Sequence, residues 1–85
     1  MRQEPEFFGE QDLALIYVAK KLKEALRLEQ ALTEAGFDYL VEPDTYSGGV
    51  VFRSERVGAF FYVAPADEER ARAMLAQAGY RPHMA

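Results

Sequence analysis

One short pattern occurs twice in this chain. Tyr17-Val18-Ala19 leads into a helical stretch that closes at Ala35-Gly36-Phe37, and Tyr62-Val63-Ala64 leads into a second that closes at Ala78-Gly79-Tyr80. A strand, a helix and a glycine-closed turn used twice leave few architectures open, because each helix has to return and cover the sheet its own strand enters. The 85 residues are enough for one domain of this kind. A chain of that size buries roughly 60–65% of its unfolded surface. With 49% hydrophobic and 28% charged residues it has the composition of a folded domain rather than a disordered tail.

Residues 1–12 read as a polar lead with no regular structure, in which Phe7-Phe8 pack onto the domain edge, and 13–82 as the domain itself. Leu13 to Val18 is apolar at every position, the pattern of a strand covered on both faces and hence central in its sheet. From Lys21 to Ala35, apolar residues recur at helical spacing at Ala25, Leu28, Leu32 and Ala35, and Gly36 supplies the left-handed residue that ends a helix. Leu22 and Leu26 widen that stripe and read as extra core, with a subunit contact as the other use. Phe37 to Glu42 alternates as a half-exposed strand, paired with Val57 to Val63, which points Phe61 and Ala59 at the helices. Between them, Pro43 to Arg56 carries turn residues and reads as a long irregular loop, with Val50-Val51-Phe52 able to extend a hairpin. The second helix opens near Pro65, places Asp67, Glu68 and Glu69 at its positive end, and buries Ala71, Met74, Leu75 and Ala78. Tyr80 to Ala85 could add a short edge strand.

The order β-α-β-β-α, with an optional last strand, predicts an α+β fold of the ferredoxin-like, split βαβ kind: an antiparallel sheet with both helices on one face. In that topology the end of the first strand, the start of the first helix and the loop between the second and third strands meet at one sheet edge. The first helix opens with Lys20, Lys21 and Lys23, the wrong sign for its positive end. With Arg53 and Arg56 approaching from the loop, these lysines are the candidate site for a small anion. The alternative is that they are ordinary solvated lysines with Glu24, Glu42 or Asp44 as counter-charges. Tyr46, Ser47, Gly48 and Gly49 form a second candidate, a loop whose backbone can approach a ligand and whose hydroxyls can be modified; read structurally, it is a hairpin tip.

Other functional classes find less support. Tyr17, Phe60 and Tyr62 read as neighbours on one sheet face, where they could stack on bases or contact another subunit. The formal net charge of −4 repels phosphate backbones and makes nucleic acid an unfavourable partner. His83, the only histidine, follows Pro82 near the end of the sequence, a poor place for a general base. Glu42, Asp44 and Glu55 lack calcium-loop spacing, and neither the Walker nor the Rossmann pattern occurs. Glu29 reads as a pairing partner of Arg27 or Lys23. The chain therefore reads as non-enzymatic and without a cofactor. It has no cysteine and no apolar run near the ~18 residues of a membrane span, which points to a cytoplasmic protein with no membrane partner.

From Leu13 to Ala78 the chain resembles a family of small prokaryotic domains of unknown function catalogued as signal-transducing proteins. The resemblance rests on Ile16-Tyr17-Val18-Ala19, on Ala25, Leu28 and Leu32 before Ala35-Gly36-Phe37, on Tyr46-Ser47-Gly48-Gly49, and on Val63, Pro65 and Asp67-Glu68-Glu69-Arg70-Ala71 before Leu75. It implies a PII-like fold, in which the loop with Tyr46 matches the regulatory loop that carries partner contacts and, in some members, a modified tyrosine. The glycine-rich nucleotide segment of PII proteins is missing, so no residue carries over as an ATP contact. The resulting expectation is a regulatory or ligand-sensing module that binds a small anion or an unknown protein partner. The alternative is a self-association domain that uses its open sheet face as a homo-oligomer contact.

Overall fold

A computed structural model describes residues 1–48 and 54–82, with side chains described for 1–44 and 57–82. In chain order its elements are α1 (Pro5–Phe8), β1 (Ala14–Ala19), α2 (Leu22–Glu34), β2 (Leu40–Gly48), β3 (Ser54–Val63), a 3-10 turn (Pro65–Asp67) and α3 (Glu68–Gln77). The strands form an antiparallel sheet in the order β1-β3-β2. The fold is thus α+β, with an open three-stranded sheet among the described residues.

Both longer helices end in the same way, and this accounts for the repeated Ala-Gly-aromatic signature. After α2, Phe37 N–H donates to the Leu32 carbonyl at 3.0 Å and Gly36 N–H to Thr33 at 3.1 Å. After α3, Tyr80 N–H donates to Leu75 at 2.9 Å and Gly79 N–H to Ala76 at 3.2 Å. These are Schellman pairs, which need a left-handed residue at the glycine; Gly36 has φ 82° and Gly79 φ 90°. The aromatic that follows each glycine turns back onto the domain: Phe37 is buried, and the Tyr80 ring meets Tyr17 edge-on at 5.6 Å. Tyr80 to Pro82 are not in a strand, because Tyr80 is already committed to the helix end and to this ring contact; Met84, Ala85 and His83 lie outside the described residues.

The apolar run of the first strand does not mark a central strand. β3 lies in the middle, and β1 is at an edge of the described sheet. The reason is a bulge: Leu15 faces Tyr62 across the ladder while Tyr17 faces Phe61, leaving Ile16 as the extra residue. Alternation slips by one there. Residues facing each other in a ladder share a sheet face, so Tyr17 joins Phe61 on the helix side, and Ile16 and Ala19 are also buried in the core. Ala14, Ile16, Tyr17 and Ala19 then all contact the core without a second neighbouring strand.

The region expected to be a loop is mostly hairpin. β2 runs on through Pro43 to Gly48, and Tyr46, Ser47 and Gly48 pair in register with Arg56, Glu55 and Ser54. Pro43, opposite Ala59, is tolerated because β2 is an edge strand among the described residues. The lead is also tied down. Arg2 forms a parallel bridge with Tyr39, and Gln3 N–H donates to the Tyr39 carbonyl at 2.8 Å. Proline at the first position starts the short helix α1 where the sequence predicts no regular structure, and Phe8 is buried there while Phe7 stays exposed.

A single core joins one face of the sheet, through Phe61, Val63, Ile16 and Ala19, to α2 through Ala25, Leu28 and Leu32 and to α3 through Ala71 and Leu75. Both helices therefore cover the same sheet face. Leu22 and Leu26, expected in the core, are 76% and 56% exposed, since α2 turns only the stripe from Ala25 to Leu32 toward the sheet. Ala78, expected on the buried face of the second helix, caps it and is exposed. Phe61→Ala is expected to cost about 3–5 kcal/mol, whereas Leu22→Ala or Leu26→Ala should stay within ~0.5 kcal/mol. Urea denaturation of the three variants checks this, and similar losses in all three would contradict the assignment of the core.

Candidate functional site

The β2–β3 hairpin outruns the helix that covers it, and the step between them leaves a groove of about 380 Å³. Its floor comes from Val41 and Pro43 of β2, from Gly58 and Ala59 of β3, and from Ala19 and Ala25 beneath the start of α2. Val41, Pro43, Val57 and Ala59 share the helix-facing side by register with Phe61. Where a filled interface would carry large side chains, this floor carries mainly alanine, glycine and proline. Leu22 and Val57, 76% and 68% exposed, flank it.

The rim is polar. Lys20 and Lys21 stand at the α2 end and Arg2 and Glu29 farther along. Arg2 Nη1 lies 3.7 Å from Glu29 Oε1, so these two charges answer each other. The Glu29 carboxylate and backbone carbonyl also accept from the buried Tyr39 hydroxyl, at 3.4 and 3.2 Å, and Thr33 Oγ1 is 3.2 Å from the same hydroxyl. Glu29 is thus held by Arg2 and Tyr39, not by Arg27 or Lys23. The amino end of α2 has Lys21 as its cap, which makes no side-chain capping bond. Glu24 reaches back to accept, at 3.2 Å, the N–H of Lys20, the residue before the cap.

Of the residues singled out in the sequence, Lys20 and Lys21 line the groove and Lys23 does not; it is exposed on the helix. Arg56 and Tyr46 face each other in the hairpin ladder, but their side chains, like that of Ser47, are not among those described; Gly48 is described only as a strand position, and Gly49 and Arg53 lie outside the described residues. The groove adds Arg2, Leu22, Pro43 and Val57, none of which the sequence places at a ligand site. The sequence reads Leu22 as core and Val57 as the start of a strand; that both are exposed and flank a common depression follows only from the hairpin's length.

The expected aromatic face breaks apart. Phe60 and Tyr62 do share the sheet face away from the helices, with Leu15 and Val18 opposite them on β1 and Leu40 and Glu42 on β2. Tyr17 is on the other side, in a small depression with Lys20, Glu24 and Arg81. Burial, a hydrogen bond to Glu24, the Glu24 charge and Tyr80 push the Tyr17 hydroxyl up to about 12. Burial also raises Tyr39 and Tyr62, the latter with help from the charges of Glu42 and Asp44.

Among the described residues no group of three or more His, Cys, Asp or Glu could hold a metal ion, and no helix is long and apolar enough to cross a membrane. The chain matches no protein-family model, no curated protein and no solved structure.

A tyrosine whose folded pKa lies above its unfolded value of 10.0 holds its proton more tightly in the folded protein. Its contribution is intact below the unfolded pKa and is lost as pH rises through the folded one. Stability is therefore expected to fall between about pH 10 and about 12, with the decline shallower in Tyr17→Phe. Urea midpoints across that range check it; identical slopes in the two proteins would contradict the burial of this hydroxyl.

Proposed function

We propose that this chain is a non-enzymatic regulatory or ligand-sensing module that binds a small anion in the groove between the start of α2 and the β2–β3 hairpin. The observation that carries this reading is that Lys20 and Lys21 stand on the rim of an actual concavity, beside a helix amino end without a side-chain cap. We further infer a ferredoxin-like, split βαβ arrangement akin to PII-like signal-transducing domains. The strand order β1-β3-β2 and the shared core of α2 and α3 support it. The absence of cysteine supports a place in a reducing, cytoplasmic compartment.

Electrostatics alone makes such a site weak. An exposed lysine or a helix end contributes ~0.3–1 kcal/mol to an anion. Two lysines and the helix end together stay at or below ~3 kcal/mol, short of the ~4 kcal/mol of a millimolar complex. Specific binding therefore draws on the floor of the groove as well.

In a thermal-shift series with inorganic phosphate, dicarboxylates and monocarboxylates, an anion at ~10 times its Kd should raise Tm by roughly 6–11 °C. The double variant Lys20→Gln/Lys21→Gln should lose most of that rise, while Lys23→Gln keeps it. A rise undiminished in the double variant would remove the groove from consideration.

A second reading is favoured by Phe60 and Tyr62, which are only half-buried on the sheet face opposite the helices. That face could pair two copies of the chain. Tyr62→Glu would then convert a dimer into monomers in sedimentation equilibrium, and an unchanged mass would exclude this surface.

A further inference from the structure

Resting on the anion-binding reading of the same groove, we propose that its ligand is a small aliphatic carboxylate, with its head between Lys20 and Lys21 and its tail along Leu22, Ala25, Val57 and Ala59. Two independent features of the groove point there, one in its charge and one in its lining.

The charge of the rim suits a monoanion. Lys20 and Lys21 supply two positive charges, Arg2 is matched by Glu29 at 3.7 Å, and Glu24 sits against the Lys20 backbone. Among the described lining residues positive charge thus exceeds negative, beside the partial charge of the helix end. A dianion would bring its second charge toward the Glu29 carboxylate, which also lines the groove. A single carboxylate head, with no second charge to bring toward Glu29, avoids that approach.

The lining suits an alkyl chain. From Lys21 inward the described lining presents Leu22, Ala25, Val41, Val57 and Ala59, none of which offers an aromatic face on which a base or sugar could stack. Two other depressions of similar size differ in this respect. One is edged by Gln11, Asp12 and Glu42 and the other by Lys20, Glu24 and Arg81, so polar groups line most of each. The volume of about 380 Å³ lies at the small end of the range of ligand pockets, roughly 300–1,000 Å³, and suits a medium-length chain.

The test is a calorimetric titration of the whole chain with acetate, butanoate, hexanoate and octanoate, with octylammonium as a probe of equal tail and opposite charge. Affinity should rise roughly threefold to fourfold per methylene and octylammonium should fail to bind. Leu22→Glu and Val57→Glu should each weaken octanoate at least ~10-fold, whereas Leu26→Glu, exposed but outside the groove, should leave it within ~2-fold. All three positions are exposed, and circular dichroism with the ligand-free Tm verifies that the variants fold. If acetate and octanoate bind alike and both need Lys20 and Lys21, the tail assignment falls while the anion site stands. A chain-length dependence that survives Leu22→Glu and Val57→Glu, or octylammonium binding as tightly as octanoate, also overturns the tail or head assignment. If none of the four acids binds and phosphate also fails, the carboxylate proposal and the anion reading fall together.

Discussion

Burial of Phe61 on the middle strand is the interaction on which the other elements depend. Its ring stacks on Tyr39 with centroids 6.0 Å apart, and its ladder neighbours are Tyr17 of β1 and Val41 of β2. The apolar stripes of α2 and α3 close over the same side. Full burial of such a side chain contributes about 1.5–3 kcal/mol, a large share of the ~5–15 kcal/mol that holds a small domain. The lead is drawn into the same arrangement through the Arg2–Tyr39 bridge, because Tyr39 is fixed from below by Phe61 and at its hydroxyl by Glu29 and Thr33. The groove follows from the same geometry. A ten-residue strand at about 3.3 Å per residue is ~33 Å long, while the 13-residue α2 spans only ~20 Å. With the core gathered at the Phe61 and Val63 end, the Val57 end of β3 extends past the helix that would otherwise cover it.

What was legible in the sequence is what local chemistry decides. The ends of α2 and α3 were readable because a left-handed glycine is required at one position and its hydrogen bonds reach only five residues back. The stripe Ala25, Leu28, Leu32 was readable because helical spacing leaves one face to bury. The bulge at Ile16 was not, since a register slip belongs to a pair of strands rather than to either sequence. Its effect is to undo the apparent repeat. Tyr17 and Tyr62 occupy matching places in the two units, yet one faces the helices and the other the open side. The polar and turn-forming residues of Pro43 to Gly48 concealed a strand for a related reason: an edge strand partly in solvent tolerates proline and glycine that a central one would not.

The candidate site was half legible. Topology alone brings the start of α2 to the β2–β3 hairpin, which places Lys20 and Lys21 at that edge. The apolar floor could not be anticipated, because it consists of volume that is missing. Ala19, Ala25 and Ala59 look in sequence like ordinary core fillers, and their shortness matters only once Leu22 and Val57 are seen to stand apart above them. Arg2 and Glu29 were equally out of reach, as their pairing depends on a parallel bridge between the lead and Tyr39, far apart in the chain.

Leaving this groove open has a cost. Leu22 and Val57, mostly exposed, each forgo part of the ~1.5–3 kcal/mol that burial would contribute, and a larger residue at Ala25 or Ala59 would occupy the space between them. The start of α2 adds to it, with two lysines where the helix dipole favours acids, although α3 in the same chain obeys that rule with Glu68 and Glu69 in its first turn. Two departures from what stability favours, one apolar and one electrostatic, thus coincide at a single place. Departures of this kind concentrate where a surface is kept for binding. Apolar exposure alone would suit a subunit contact and lysines alone would suit solvent; the two side by side suit a ligand with an apolar part and a negative one.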